Sequence, residues 1–121
     1  FGILTYDCGV IGWRGGELQE SSASTRAAAE DWIRKQLWAT GSTGTGPATV
    51  SAFAAGARCV VLLTDGEPNC GADGVAGHRS MIAYNNPGAV VHVFGVQASG
   101  PWRAFCQGVA ADSGGRYVDV P

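Results

Sequence analysis

Lysine is almost missing from this chain: Lys35 is the only one in 121 residues, the other cations are scattered arginines, and the formal net charge is −2. Without a basic patch there is nothing to hold a nucleic-acid backbone, and without a charge run there is no acidic tail. No apolar run approaches the roughly 18 residues of a membrane span, and no charged-then-apolar leader opens the sequence. Cysteines are few: Cys8, Cys59, Cys70 and Cys106 form no Cys-x-x-Cys pair, and His78 and His92 add no zinc-like cluster. A Gly-x-Ser-x-Gly elbow is lacking too, so an α/β-hydrolase reading has no nucleophile.

What is present is the composition of one globular domain, 45% hydrophobic and 15% charged, long enough to bury a normal core. The chain opens on Phe1 inside a strand-like run, "FGILTY" (1–6), which reads as a fragment or a processed chain. A weaker strand follows at Val10–Arg14. From Ser24, a plausible N-cap, Ala28/Ala29, Trp32/Ile33 and Gln36/Leu37 recur at helical spacing with Trp38 off the stripe. A small-residue loop, 39–49, leads into a short Ala-rich helix ending near Gly56. "CVVLLT" (59–64) is too short for a helix and rich in branched residues, the pattern of a strand covered on both faces. A polar loop runs to about Gly74, then a helix from about His78 to Asn85, then a second buried strand at 89–96 in which His92 reads as a hydrogen-bonded core residue. Ser99 and Pro101 open a last helix with Trp102, Phe105, Cys106, Val109 and Ala110 on one face; Gly114-Gly115 stops it before a strand at 116–120. Cys59 and Cys106 fall in core positions, whereas Cys70, in a polar loop, is either reactive or paired. Alternating strands and helices predict an α/β fold with a doubly wound, mainly parallel sheet and helices on both faces.

Two stretches carry chemistry. "GSTGTG" (41–46) has glycines spaced as in a phosphate loop, but Pro47 stands where the lysine belongs and the loop follows a helix rather than a strand. It offers the hydroxyls of Ser42, Thr43 and Thr45 instead. The run 59–64 ends on Asp65-Gly66, ordinary turn chemistry by itself. In a parallel α/β sheet, however, strand ends and helix starts share a rim where ligands bind. Hydroxyls and one carboxylate converging there suit a hard cation, Mg²⁺ or Mn²⁺.

"VVLLTDGEPN" preceded by "TGSTGTGPA" resembles the von Willebrand factor type A domain, with "FGILTY" similar to that family's second strand and "VVHVFGV" and "RYVDV" to its fifth and sixth. The resemblance covers nearly all of residues 1–121, read as a single, partial type A domain with a Rossmann-like fold. It implies a metal-ion-dependent adhesion site in which Thr43 supplies the loop threonine and Asp65 the aspartate, with Gly44 and Glu67 beside them facing the partner. The implied function is binding rather than catalysis: a protein ligand offers a carboxylate to the metal. The departure is the family's Asp-x-Ser-x-Ser, which none of Asp7, Asp31, Asp65, Asp73, Asp112 or Asp119 begins. The family's first strand and first helix are missing, so the chain alone is expected to bind Mg²⁺ or Mn²⁺ weakly or not at all. In the family order the absent strand lies between "FGILTY" and "CVVLL", which leaves two strand edges facing each other unpaired. Two alternatives stand beside this reading: a metal-free type A scaffold for complex assembly, and a hydrolytic enzyme using Cys70 or Asp65 at the rim.

Overall fold

The computed structural model describes residues 1–38 and 41–121; Ala39 and Thr40, the start of the expected loop, lie outside the described residues. Strand β1 (Leu4–Tyr6) pairs antiparallel with β2 (Val10–Gly12), Leu4 opposite Gly12 and Tyr6 opposite Val10. The second strand stops short of Arg14. A 3-10 turn, Trp13–Gly16, replaces its end, with Arg14 at φ 50° and Gly15 at φ 70°, left-handed values that no strand can hold. A Cβ on Gly12 would collide with the backbone of Gly16 as the chain folds back.

Helix α1 (Ala23–Gln36) starts two residues earlier than expected, with Ser22 rather than Ser24 as its N-cap. Ser22 Oγ accepts from Thr25 N (3.1 Å) while Ser22 N donates to Thr25 Oγ1 (2.8 Å), a capping box closed by threonine instead of glutamate. Its apolar stripe is only partly covered. Ala29 is buried and Trp32 and Ile33 are half-buried, but Leu37 stays exposed, as does Trp38 off the stripe.

The remaining elements alternate as read: α2 (Thr45–Ala54), β3 (Cys59–Thr64), α3 (Gly74–Asn85), β4 (Val90–Val96), α4 (Gly100–Asp112) and β5 (Tyr117–Val120). Among the described residues β3, β4 and β5 form one three-stranded sheet in that order, parallel throughout, separate from the β1–β2 hairpin. The chain is thus α/β with a parallel sheet. Helix α3 begins before His78, at Gly74, where φ is +63°.

The core lies on one face of this sheet. Leu62 of β3 and Val91 and Val93 of β4 meet Phe53 of α2, Ile82 of α3, and Phe105, Cys106 and Val109 of α4. Cys106 is fully buried, as its place on the stripe predicts. The expectation that 59–64 is covered on both faces does not hold. Helices α2, α3 and α4 all contribute to the same core, so the strand's alternate residues face out: Val61 is 56% and Leu63 62% exposed. Cys59 shares that outward phase and is exposed rather than in the core. His92 is half-buried on this side too, its Nδ1 accepting from Arg116 N at 3.0 Å.

Candidate functional site

The carboxyl end of β3 opens into a rim assembled from three loops. Thr64 Oγ1 accepts from Gly66 N at 3.1 Å and Asp65 Oδ1 accepts from Glu67 N at 3.2 Å, so consecutive side chains hold the turn that follows the strand. Gly66 sits at φ +86°, and a Cβ there would come within 2.8 Å of Trp102 O and 3.0 Å of Cys106 Sγ. Only glycine allows the turn to lie this close to α4. Asp65 remains exposed at its apex, with Oδ2 unbonded among the described residues, and Glu67 is exposed beside it.

The loop before α2 is bolted to this turn. Thr43 N donates to Asn69 Oδ1 (2.7 Å), and Thr43 O accepts from Asn69 N (2.9 Å). Gly44 N donates to Asp7 O at 2.7 Å. The Cys8–Cys70 disulfide then joins the β1–β2 turn to the same loop, across 62 residues of sequence. Cys70 is therefore paired and holds no free thiol for nucleophilic attack. Gly71 completes the clamp, since a Cβ there would meet Pro47 Cγ at 2.6 Å.

Thr43 and Asp65, 22 positions apart, are both among the residues lining one cavity of about 930 Å³, which β1 and β3 also line. Thr43 is half-buried with no hydrogen bond to its hydroxyl among the described residues. Gly44 is buried against Asp7 O and Cys70, so its contribution is to the loop's shape and the partner-facing surface expected of it is closed. Of the other loop hydroxyls, Ser42 is exposed, while Thr45 is fully buried and Thr45 Oγ1 has no hydrogen-bond partner among the described residues. Behind the rim, burial pushes the Tyr6 hydroxyl above its usual range, and the Asp65 carboxylate adds to the effect. The Cys106 thiol is pushed up to about 11, first by burial and then by Asp65.

The donor set is oxygen: one carboxylate and one hydroxyl, the chemistry of a hard cation. Among the described residues no three His, Cys, Asp or Glu side chains gather closely enough to hold a metal ion by themselves. One further buried group lay outside the sequence reading. His78, fully buried on α3, accepts from Gly46 N through Nδ1 (2.9 Å) and so covers the start of α2. Its Nε2 has no partner among the described residues, and burial lowers its basicity. No helix among the described residues is long and apolar enough to cross a membrane. No family model matches the chain, and no curated protein matches it.

Proposed function

We propose that this chain is a protein-binding module built as an incomplete, doubly wound type A domain, and that it binds rather than catalyses. Asp65 and Thr43 would hold Mg²⁺ or Mn²⁺ at the rim, and the cation would supply the positive charge that takes a partner's carboxylate. The observation that supports this is that both residues line one cavity, on loops fixed by Gly66, Asn69 and the Cys8–Cys70 disulfide. Exposed Glu67 stands at the edge of the contact surface and selects partners by charge. Mg²⁺ favours about six oxygens in near-octahedral order. Two protein oxygens leave most of that shell to water and partner, so affinity for the free ion is low.

Paramagnetic Mn²⁺ tests the reading directly on isotope-labelled protein. The expected result is selective broadening of the amides around Thr43, Asp65 and Glu67 at millimolar ion or below, abolished in Asp65→Ala. Broadening that is uniform over the surface acidic residues, or unchanged in Asp65→Ala, sinks it.

A further inference from the structure

The Cys8–Cys70 bridge joins two parts of the molecule that share no strand pairing. Among the described residues β1 and β2 form a sheet of their own, while Cys70 belongs to the loop after β3 of the other sheet. Hydrogen bonds also fasten the hairpin to the body, from Gly44 N to Asp7 O (2.7 Å) and from Tyr6 Oη to Leu63 O (3.3 Å). The Tyr6 ring packs against the core. At the turn itself, the disulfide and the Gly44 bond act side by side.

The two sulfurs are unequally placed. Cys8 is exposed in the hairpin turn, whereas Cys70 is half-buried, with its Sγ 3.9 Å from Asp7 O and Gly44 packed against it. An incoming thiolate therefore meets Cys8 first, and exposed disulfides are the ones that exchange readily. The thiolate bonds to Cys8 Sγ, the Cys8–Cys70 bond breaks, and the electron pair leaves on Cys70, which takes a proton from water. A second thiol attacks the reagent's sulfur in this mixed disulfide and releases Cys8 as a thiol. One protein disulfide is thus reduced to two thiols while two reagent thiols are oxidised to one disulfide.

What lies beside the fastening favours release. Thr45, next to Gly44, is fully buried, and Thr45 Oγ1 has no hydrogen-bond partner among the described residues. Keeping a hydroxyl dry and unbonded costs at least as much as one neutral hydrogen bond contributes. While the disulfide is intact, turn and loop stay together and water is kept out. Once it is cut, the Gly44–Asp7 bond must hold the seam against hydration of Thr45. The seam ends at Gly46, whose N–H is held by His78 Nδ1 at 2.9 Å.

We propose that Cys8–Cys70 is a redox latch on the rim, opened by a thiol reductant that enters at Cys8. The reduced chain parts between the β1–β2 turn and the loop before α2, and the core stays closed. Thr43 moves with Gly44, so on the reading proposed above the open rim binds its partner less well. The latch itself needs no cation, and its test is run in chelator.

Cys59, exposed and unpaired, is replaced by serine so that a single exchange is followed. The folded, oxidised Cys59→Ser chain is treated with reduced glutathione, quenched in acid and mapped by mass spectrometry. Glutathione is expected on Cys8 in about tenfold excess over Cys70, at a rate that non-denaturing urea leaves unchanged. After full reduction, amide exchange at Gly44 should quicken about a hundredfold, with Gly46, Val91 and Val93 unchanged, and oxidised glutathione should reverse it. Thr45→Val, which keeps the shape and removes the hydroxyl, should cancel about tenfold of that gain. Glutathione on Cys70 in place of Cys8, or a reduction rate that climbs with urea, overturns the latch. So does exchange at Gly44 that reduction leaves slow, which marks a fastening without a switch, or equal quickening at Val91 and Val93. These comparisons need only the Cys59→Ser chain and stand where Thr45→Val fails to fold; a folded Thr45→Val chain with the full gain also overturns it.

Discussion

Leu62 and Leu63 are neighbours of the same type on the same strand, yet one is 5% and the other 62% exposed. Leu62 meets a core fed by α2, α3 and α4, and Leu63 looks onto a face those helices do not cover. The difference teaches that an apolar run fixes where a strand forms but not how many of its faces are covered, which depends on the layers packed against it. It also divides the molecule energetically: a closed side that holds the fold, and an open side facing the cavity that Thr43 and Asp65 line.

The largest expected effect tests that division. Leu62→Ala should cost about 2–5 kcal/mol, as deletion of a buried leucine does where neighbours relax only partly. Leu63→Ala, exposed, should cost less than about 1 kcal/mol. Urea unfolding of both variants measures the gap. Equal losses would mean that the open face is covered in solution, by a second copy or by rearrangement of α1.

The Cys8–Cys70 bridge sharpens the contrast from the other direction, because it stabilises the rim rather than the core. Replacing both cysteines by alanine should lower stability by about 2–4 kcal/mol, since the bridge closes a 62-residue separation in the unfolded chain. The distribution is more telling than the sum. Hydrogen exchange should quicken most at Gly44 and Asn69, whose amides depend on the clamp, and least at Val91 and Val93. Uniform acceleration would show that rim and core open as one unit.

These features were unequally legible in the sequence. Strands β3 and β4 and helix α4 were readable because an unbroken branched run and a stripe at helical spacing are local signals. Asp65 was readable as the residue closing β3. The disulfide was not, since Cys8 and Cys70 belong to different loops and nothing in their spacing brings them together. The outward positions of Cys59, Val61 and Leu63 escaped because buried and half-buried strands share composition when the missing layer lies outside the run. Ser22 was passed over for Ser24 because its capping partner is Thr25 rather than a glutamate. The burial of His78 was not readable either, although the residue was placed on its helix: its partner is the amide of Gly46, 32 residues away on another helix.

That histidine supplies the smallest of these effects and the one tied to pH. Its Nδ1 accepts a hydrogen bond from Gly46 N, so the neutral ring carries its own proton on Nε2. Protonating Nδ1 would abolish the bond and set a positive charge against the N-terminal end of α2, whose N–H groups already favour negative charge. Burial accordingly lowers the folded-state pKa below the ordinary value of 6.5. The unfolded chain then binds more protons than the folded one between the two pKa values. Stability is fully present above about pH 6.5, declines as pH falls toward the lowered folded value, and levels off below it. His78→Gln, which can keep an acceptor near Gly46, should remove this part of the slope while costing about 1 kcal/mol at neutral pH. Denaturant midpoints between pH 7 and pH 5 decide it: parallel slopes for wild type and variant would show that His78 stays neutral in both states and that the acid sensitivity of the closed side lies elsewhere.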